Sequence, residues 1–260
     1  MSTQQLNITL IQHDIVWEDK QANLQQYEQY IAGIKEKREI VVLPEMFSTG
    51  FSMAPERLAE PMSGSSVQWM KDIAHKYRCI LTGSLIIEVN GHFYNRLLWV
   101  QPDGQLGYYD KRHLFAYGNE DKHYTPGEKR LIVQVKGWRI CLLVCYDLRF
   151  PIWARNQNEE YDILLYVANW PERRSLAWKT LLQARAIENM SYVVGVNRIG
   201  TDAKDINYCG ESSVFNPLGE KIWQQPVAVL THTVTLHKEV LQQARMDYPF
   251  LKDSDKFLLL

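Results

Sequence analysis

Three side chains with complementary chemistry stand in order along the chain: Glu45 in VVLPE, Lys111 in GYYDKRHLF and Cys145 in LLVCYDLRFP, with spacings of 66 and 34 residues. A thiol is a nucleophile, a carboxylate can take its proton, and an ammonium can hold a developing oxyanion. Each also has a plainer reading. Free cysteines are usually buried and inert. A Glu after Pro at a strand end is often a surface loop residue, and a Lys within DKRH is ordinarily a solvated charge. What the three share is local context: each sits where a strand-like run stops abruptly at a reactive group. A carboxylate placed just past a buried strand must be solvated, paired, or desolvated with a raised proton affinity.

The runs EIVVLPE (39–45) and WRICLLVCY (138–146) are nearly all apolar, which predicts strands in a sheet covered on both faces. The carboxyl ends of such strands are where open α/β sheets commonly build their sites. Beyond Cys145 the pattern turns from strand to turn and helix. That geometry presents a nucleophile beside helix N-terminal N–H groups able to hold an oxyanion. It resembles a nucleophile elbow in its mechanics, although no G-x-S-x-G is present.

Strand-like and helix-like segments alternate around these runs. A strand over 6–12 leads to a helix over 19–37, with Leu24, Tyr27, Ile31 and Ile34 at helical spacing. Residues 65–77 read as a second helix with Val67, Met70, Ile73, Ala74 and Tyr77 on one face and a Ser as its cap. Residues 79–110 read as consecutive strands joined at an Asn90-Gly91 turn, whose central positions need positive φ. After an irregular 111–130 come strands over 131–136 and 138–146, a helix over 152–158, a strand over 162–169, a helix over 174–189 and a strand over 192–198. A hairpin over 211–225, a strand near 227–235 and a short helix near 236–245 close the chain. No linker, low-complexity block or repeat interrupts this order, so residues 1–260 read as a single α+β domain with helices covering sheet faces.

Composition narrows the partners. Formal charge is -1, from 29 basic and 30 acidic residues, so the excess positive charge needed for phosphate backbones or anionic membranes is missing. Small molecules, or a second copy of the chain, are the expected partners. No stretch approaches a membrane span, and the N-terminus lacks a secretory pattern. Cys79, Cys141, Cys145 and Cys209 show no C-x-x-C spacing. Cys141 and Cys145 lie about 13 Å apart at strand rise, too far for a disulfide. Free thiols in a reducing cytoplasm are the economical expectation. No H-E-x-x-H or C-x-x-C ligand set suggests a metal.

PEMF, DKRHLF and VCYDLRFP, in that order, resemble the three signature segments of the nitrilase superfamily, whose members hydrolyse or form carbon–nitrogen bonds outside peptides with a Glu-Lys-Cys triad. The stretch 120–127, EDKHYTPG, resembles the loop bearing the superfamily's second glutamate, here Glu120. ANWP, QARAIEN and NPLGE fit later segments, so the resemblance spans nearly the whole chain. It implies a four-layer α-β-β-α sandwich, no cofactor, and dimers or larger assemblies packed through helices beside the active site. True nitrilases tend towards Cys-Trp-Glu after the nucleophile, and N-carbamoyl-amino-acid hydrolases towards Cys-Asn-Asp-Arg-Arg. The run from Cys145 to Pro151, CYDLRFP, looks instead like the omega-amidase group, which acts on 2-oxoglutaramate and 2-oxosuccinamate. A nitrilase, a carbamoylase and a non-catalytic binding protein are the alternatives.

The resemblance implies roles. Glu45 would be the base, Cys145 the nucleophile, and Lys111 with the Tyr146 N–H the oxyanion holders. Glu120 would orient Lys111, unless it is a plain loop carboxylate in NEDK. Asp147 and Arg149 could pair across the turn after the nucleophile. Trp170 could wall the pocket, unless it is core. Arg173 and Arg174 could meet a substrate carboxylate, or be solvated charges at a helix start.

Overall fold

The computed structural model describes residues 5–224 and 227–258. Gln225, the last residue of the predicted hairpin, lies outside them. The first half of the chain supplies β1 (Gln5–Gln12), β2 (Ile40–Val42), β3 (Ile80–Val89), β4 (His92–Val100) and β5 (Leu106–Asp110), with helices α1 (Lys20–Gly33), α2 (Pro55–Leu58) and α3 (Ser65–Tyr77) between them. The second supplies β6 (Leu131–Val135), β7 (Trp138–Val144), β8 (Ile163–Ala168), β9 (Tyr192–Asn197), a small ribbon of β10 (Ile199–Thr201) and β11 (Asn207–Cys209), then β12 (Ser213–Phe215), β13 (Lys221–Gln224) and β14 (Leu230–His237). Its helices are α4 (Pro151–Ala154), α5 (Ser175–Asn189) and α6 (Lys238–Asp247).

Two six-stranded mixed sheets result, in the orders β14-β1-β2-β3-β4-β5 and β13-β12-β9-β8-β7-β6. Each has three parallel strands at its centre, β1-β2-β3 in one and β7-β8-β9 in the other, flanked by antiparallel pairs. Alternation along β2 shows how the layers form. Ile40 and Val42 join a core shared with the second sheet, while Val41 joins a core beneath Tyr27 and Ile31 of α1 and Val67, Met70, Ile73 and Ala74 of α3. On the far side, Trp178, Leu182 and Ala186 of α5 close over the second sheet. The order of layers is helix, sheet, sheet, helix, as the resemblance implied.

Several boundaries moved for local reasons. The helix predicted over 152–158 stops at Ala154, because Arg155 leaves helical space for extended backbone at φ -61° and ψ 129°. The strand predicted over 39–45 ends at Val42, although the Leu43 N–H still reaches Thr82 O at 2.8 Å. Met46, at φ 43°, turns the chain while its N–H bonds Ser84 Oγ at 2.8 Å. The expected Ser cap of α3 is replaced by Glu60, whose Oε2 accepts the Ser66 N–H at 2.8 Å. Asn90 and Gly91 take the positive φ their turn required, 53° and 80°.

Candidate active site

Four strand ends converge on one point between the sheets. Cys145 directly follows β7, Asn169 follows β8, Lys111 follows β5, and Glu45 lies three residues beyond β2. Asn95 enters from within β4. The structure thus brings together Glu45, Lys111, Cys145 and Glu120, all of which the sequence singled out, and adds two asparagines that it did not.

Glu45 is fully buried, and every oxygen has a donor. Its Oε1 accepts from Lys111 Nζ at 2.9 Å and Asn95 Nδ2 at 2.7 Å. Its Oε2 accepts the Asn169 backbone N–H at 2.8 Å, and its carbonyl oxygen accepts Asn169 Nδ2 at 2.6 Å. The Cys145 thiol donates to the Asn169 carbonyl oxygen at 3.9 Å, and the Glu45 carboxylate lies close enough to raise the thiol's proton affinity. Asn169 thus joins the two: its backbone N–H and amide hold Glu45, and its carbonyl oxygen receives the thiol.

Glu120 is no loop ornament. Its two oxygens accept from Lys111 Nζ at 3.0 and 2.8 Å, and Oε2 also accepts the Phe115 N–H at 2.6 Å. Asn95 Nδ2 bridges the two carboxylates, reaching Glu120 Oε1 at 3.1 Å. Burial works against the Lys111 ammonium, but the charges of Glu120 and Glu45 outweigh it and hold the lysine well above its ordinary range. With two carboxylates sharing one ammonium, a negative charge is left over. Burial accordingly pushes the Glu120 carboxyl up; Lys111 opposes this and Glu45 adds to it. Burial and then Glu45 push the Cys145 thiol well above its ordinary value, against the pull of Lys111. The resting sulfur is thus a thiol.

Cys145 opens a 3-10 turn, Cys145–Arg149, with φ of 43°. A non-glycine residue in the left-handed region costs of order 1–3 kcal/mol and persists only where its surroundings impose it. The Tyr146 N–H stands in the first turn of that helical segment, where amides have no intrahelical acceptor.

A cavity of about 250 Å³ opens onto the thiol. Phe51, Phe115, Tyr146, Trp170 and Tyr208 wall it, and Arg149, Arg173, Arg174 and Lys204 bring positive charge to it. Asp202, the acidic residue among them, is engaged by the Tyr208 hydroxyl at 2.9 Å and the Lys204 N–H at 2.8 Å. Trp170 is buried and fixed: Asn197 holds its backbone N–H at 2.7 Å and its carbonyl at 2.9 Å, and its indole N–H bonds Arg174 O at 2.8 Å. Arg173 is exposed at the rim, and Arg174 is half-buried over the Phe115 ring at 5.0 Å.

The expected pairing of Asp147 with Arg149 does not form. Residues two apart on a helical turn point to different sides. Asp147 faces inward to Tyr109, His113 and Val144, while Arg149 faces the cavity, its guanidinium 4.8 Å from the centre of the Trp170 ring. Cys141, four residues before Cys145, is fully buried, and burial pushes its thiol up to about 12. Among the described residues, no group of three or more His, Cys, Asp or Glu is placed to hold a metal ion. None of their helices is long and apolar enough to cross a membrane.

The carbon-nitrogen hydrolase family model matches residues 7–245. The omega-amidase YafV of Escherichia coli (strain K12) is 44% identical over 256 residues, covering 98% of each chain. The 2-oxoglutaramate amidase of Bacillus subtilis is 32% identical, over 82% of this chain and 83% of its own. Among solved structures, XC1258 from Xanthomonas campestris, a CN-hydrolase superfamily protein with an arsenic adduct in its active site, superposes with a TM-score of 0.96. It is 41% identical, over 98% of this chain and 99% of that one.

Proposed function

Because the chain belongs to the carbon-nitrogen hydrolase family, we propose that it is an omega-amidase, releasing ammonia from the terminal amide of 2-oxoglutaramate or 2-oxosuccinamate, with residues 1–260 as one catalytic domain. The observation that carries this reading is the cluster in which Glu45 holds the Lys111 ammonium at 2.9 Å and raises the proton affinity of the Cys145 thiol, with Lys111 and Cys145 both lining a cation-rimmed cavity. Glu45 takes the thiol proton as the sulfur attacks the amide carbonyl. The oxyanion is received by the Lys111 ammonium and the Tyr146 N–H. As the tetrahedral adduct collapses, Glu45 returns the proton to the departing nitrogen, and ammonia leaves a thioester on Cys145. Glu45 then takes a proton from water as it attacks the thioester, and the freed thiol recovers that proton.

A substrate with a carboxylate at its far end suits a cavity carrying Arg149, Arg173, Arg174 and Lys204, with a single acidic residue already engaged. Exposed Leu176 and Ile187 lie three turns apart on one face of α5, next to exposed Leu218. With the polar Thr180 and Gln183 between them they form a mixed face through which we read the chain as a homodimer, and sedimentation as a monomer at micromolar concentration would exclude that. Four free cysteines fit a reducing cytoplasm.

The test is ammonia release from 2-oxoglutaramate, assayed beside a nitrile and an N-carbamoyl amino acid. The parent should turn over the ω-amide in clear preference. Cys145→Ala and Glu45→Gln should each fold and release none. Near-parental turnover by either folded variant overturns the assignment of roles, and preference for the nitrile or the carbamoyl compound overturns the substrate class.

A further inference from the structure

The reaction scheme leaves unused a fully buried carboxylate beside the nucleophile. Asp147 lies two residues beyond the nucleophile and does not line the cavity. Its Oδ2 accepts the Val144 N–H at 3.0 Å, from the residue immediately before Cys145. The same oxygen accepts the Tyr109 hydroxyl at 2.7 Å, while Oδ1 accepts the His113 N–H at 3.0 Å and faces His113 Nδ1 at 2.8 Å. An ionised carboxylate only accepts, so that ring nitrogen carries the hydrogen.

Tyr109 and His113 stand two residues before and two residues after Lys111. One carboxylate therefore grips the chain on both sides of the ammonium and the residue adjoining the thiol. Its partners are themselves fixed. The Tyr109 oxygen accepts Trp153 Nε1 at 3.0 Å and the Arg112 N–H at 3.1 Å. The His113 ring lies flat on Phe150, with centroids 3.7 Å apart and planes within 5°. Four donors meet two oxygens, a demand that a carboxylate can meet with its four lone-pair sites. An amide cannot, because half of it would present hydrogens to donors. Cys145 holds its left-handed φ between Val144 and Asp147, so the carboxylate closes over the strained residue from both sides.

Building on the Glu45–Lys111–Cys145 assignment, we propose that Asp147 is a positioning residue that sets the Cys145 turn and the Lys111 loop at a fixed separation, so that sulfur and ammonium address one carbonyl. Its contribution then falls on the chemical step, and substrate capture, which the cavity arginines serve, stays nearly constant.

The experiment compares the full-length parent with Asp147→Asn, Tyr109→Phe and the double variant. The readouts are kcat and KM for the ω-amide per folded molecule, thermal midpoint, and the rate at which iodoacetamide modifies Cys145. Asp147→Asn should lose about tenfold to hundredfold in kcat, the scale of a misplaced reacting group, with KM changed less than about threefold. Tyr109→Phe removes one bond and should lose less. Added to Asp147→Asn in the double variant, it should cost almost nothing further, since both act through one carboxylate. Modification of Cys145 should slow in the same order. Unchanged kcat per folded molecule in Asp147→Asn, a loss expressed in KM alone, or additive losses in the double variant would overturn the proposal. If Asp147→Asn does not fold, Tyr109→Phe decides alone: parental kcat and parental modification rate would overturn it. If the parent hydrolyses no amide, the functional reading fails, and the modification rates still decide the role of Asp147.

Discussion

Replacing Lys111 with Met tests the charge balance at the centre of the molecule. Methionine keeps the apolar stem and removes the ammonium, and with it three hydrogen bonds of 2.8 to 3.0 Å to Glu45 and Glu120. Both carboxylates are fully buried, and Asn95 Nδ2 alone would remain between them. Removing one member of a buried ion cluster costs about 3–5 kcal/mol when a charge is left uncompensated. In the parent, the raised pKa of Lys111 means its contribution is complete below the unfolded value of 10.5 and fades only as pH rises through the folded one. The variant behaves differently. Burial already pushes the Glu120 carboxyl up, and without the ammonium one carboxyl must hold a proton. The folded variant then binds a proton that the unfolded chain has shed above its value of 4.5, so its stability falls as pH rises, by up to about 1.4 kcal/mol per pH unit. Urea unfolding at about pH 6 and about pH 8 should show the full deficit of roughly 3–5 kcal/mol at the higher pH and a visibly smaller one at the lower. Ammonia release should fall by about 100- to 1000-fold, the cost of losing one oxyanion donor. A deficit below about 1 kcal/mol at the higher pH, or equal deficits at both, would refute the charge balance described here.

Two further outcomes follow from the cavity and the thiols. Arg149→Met should raise KM for the carboxylate-bearing ω-amide about 10- to 100-fold, from the roughly 1.5–3 kcal/mol of a charge-assisted hydrogen bond, while a neutral amide of similar size is turned over as before. Equal losses on both substrates would remove Arg149 from carboxylate recognition. Cys141→Ala should keep near-parental turnover, and Cys141 should resist iodoacetamide in the folded protein, because burial holds its thiol near 12 and its side chain is fully enclosed. Rapid modification at Cys141, mapped by mass spectrometry, would contradict that enclosure.

Much of the site was legible because it lies where apolar strands end, and an apolar run halted by Glu, Lys or Cys is a visible event in a sequence. Glu120 carried no such mark; its placement came from the resemblance of its loop. Asn95 was hidden by its surroundings. HFYNRLLWV reads as an ordinary strand, yet Asn95 is fully buried, with its amide between two carboxylates. A polar residue at an inward position of an apolar strand was the available signal. Asn169 stood within ANWP beside Trp170, and the larger side chain drew the functional reading. Its grip on Glu45 joins residues 124 positions apart, which no local pattern records. Asp147 and Arg149 were paired on proximity in sequence, whereas the short helical turn sends them to opposite sides.

The arrangement of protons explains why a thiol can wait here without reacting. All three Lys111 hydrogens are engaged at rest, one by Glu45 and two by Glu120. The two bonds to Glu120 chelate a single carboxylate, so one can be given up while both ion pairs persist. In the proposed mechanism that hydrogen turns to the oxyanion as negative charge leaves the sulfur for the carbonyl oxygen. Until a carbonyl arrives, burial and the Glu45 charge keep Cys145 protonated. Sulfur activation is thereby tied to the substrate: the proton moves to Glu45 when Lys111 has a second anion to hold. A preformed thiolate would need a local excess of positive charge, and two carboxylates around one ammonium provide the reverse. In that mechanism Glu120 adds negative charge around Lys111, a smaller contribution to keeping the thiol protonated than burial and Glu45 make.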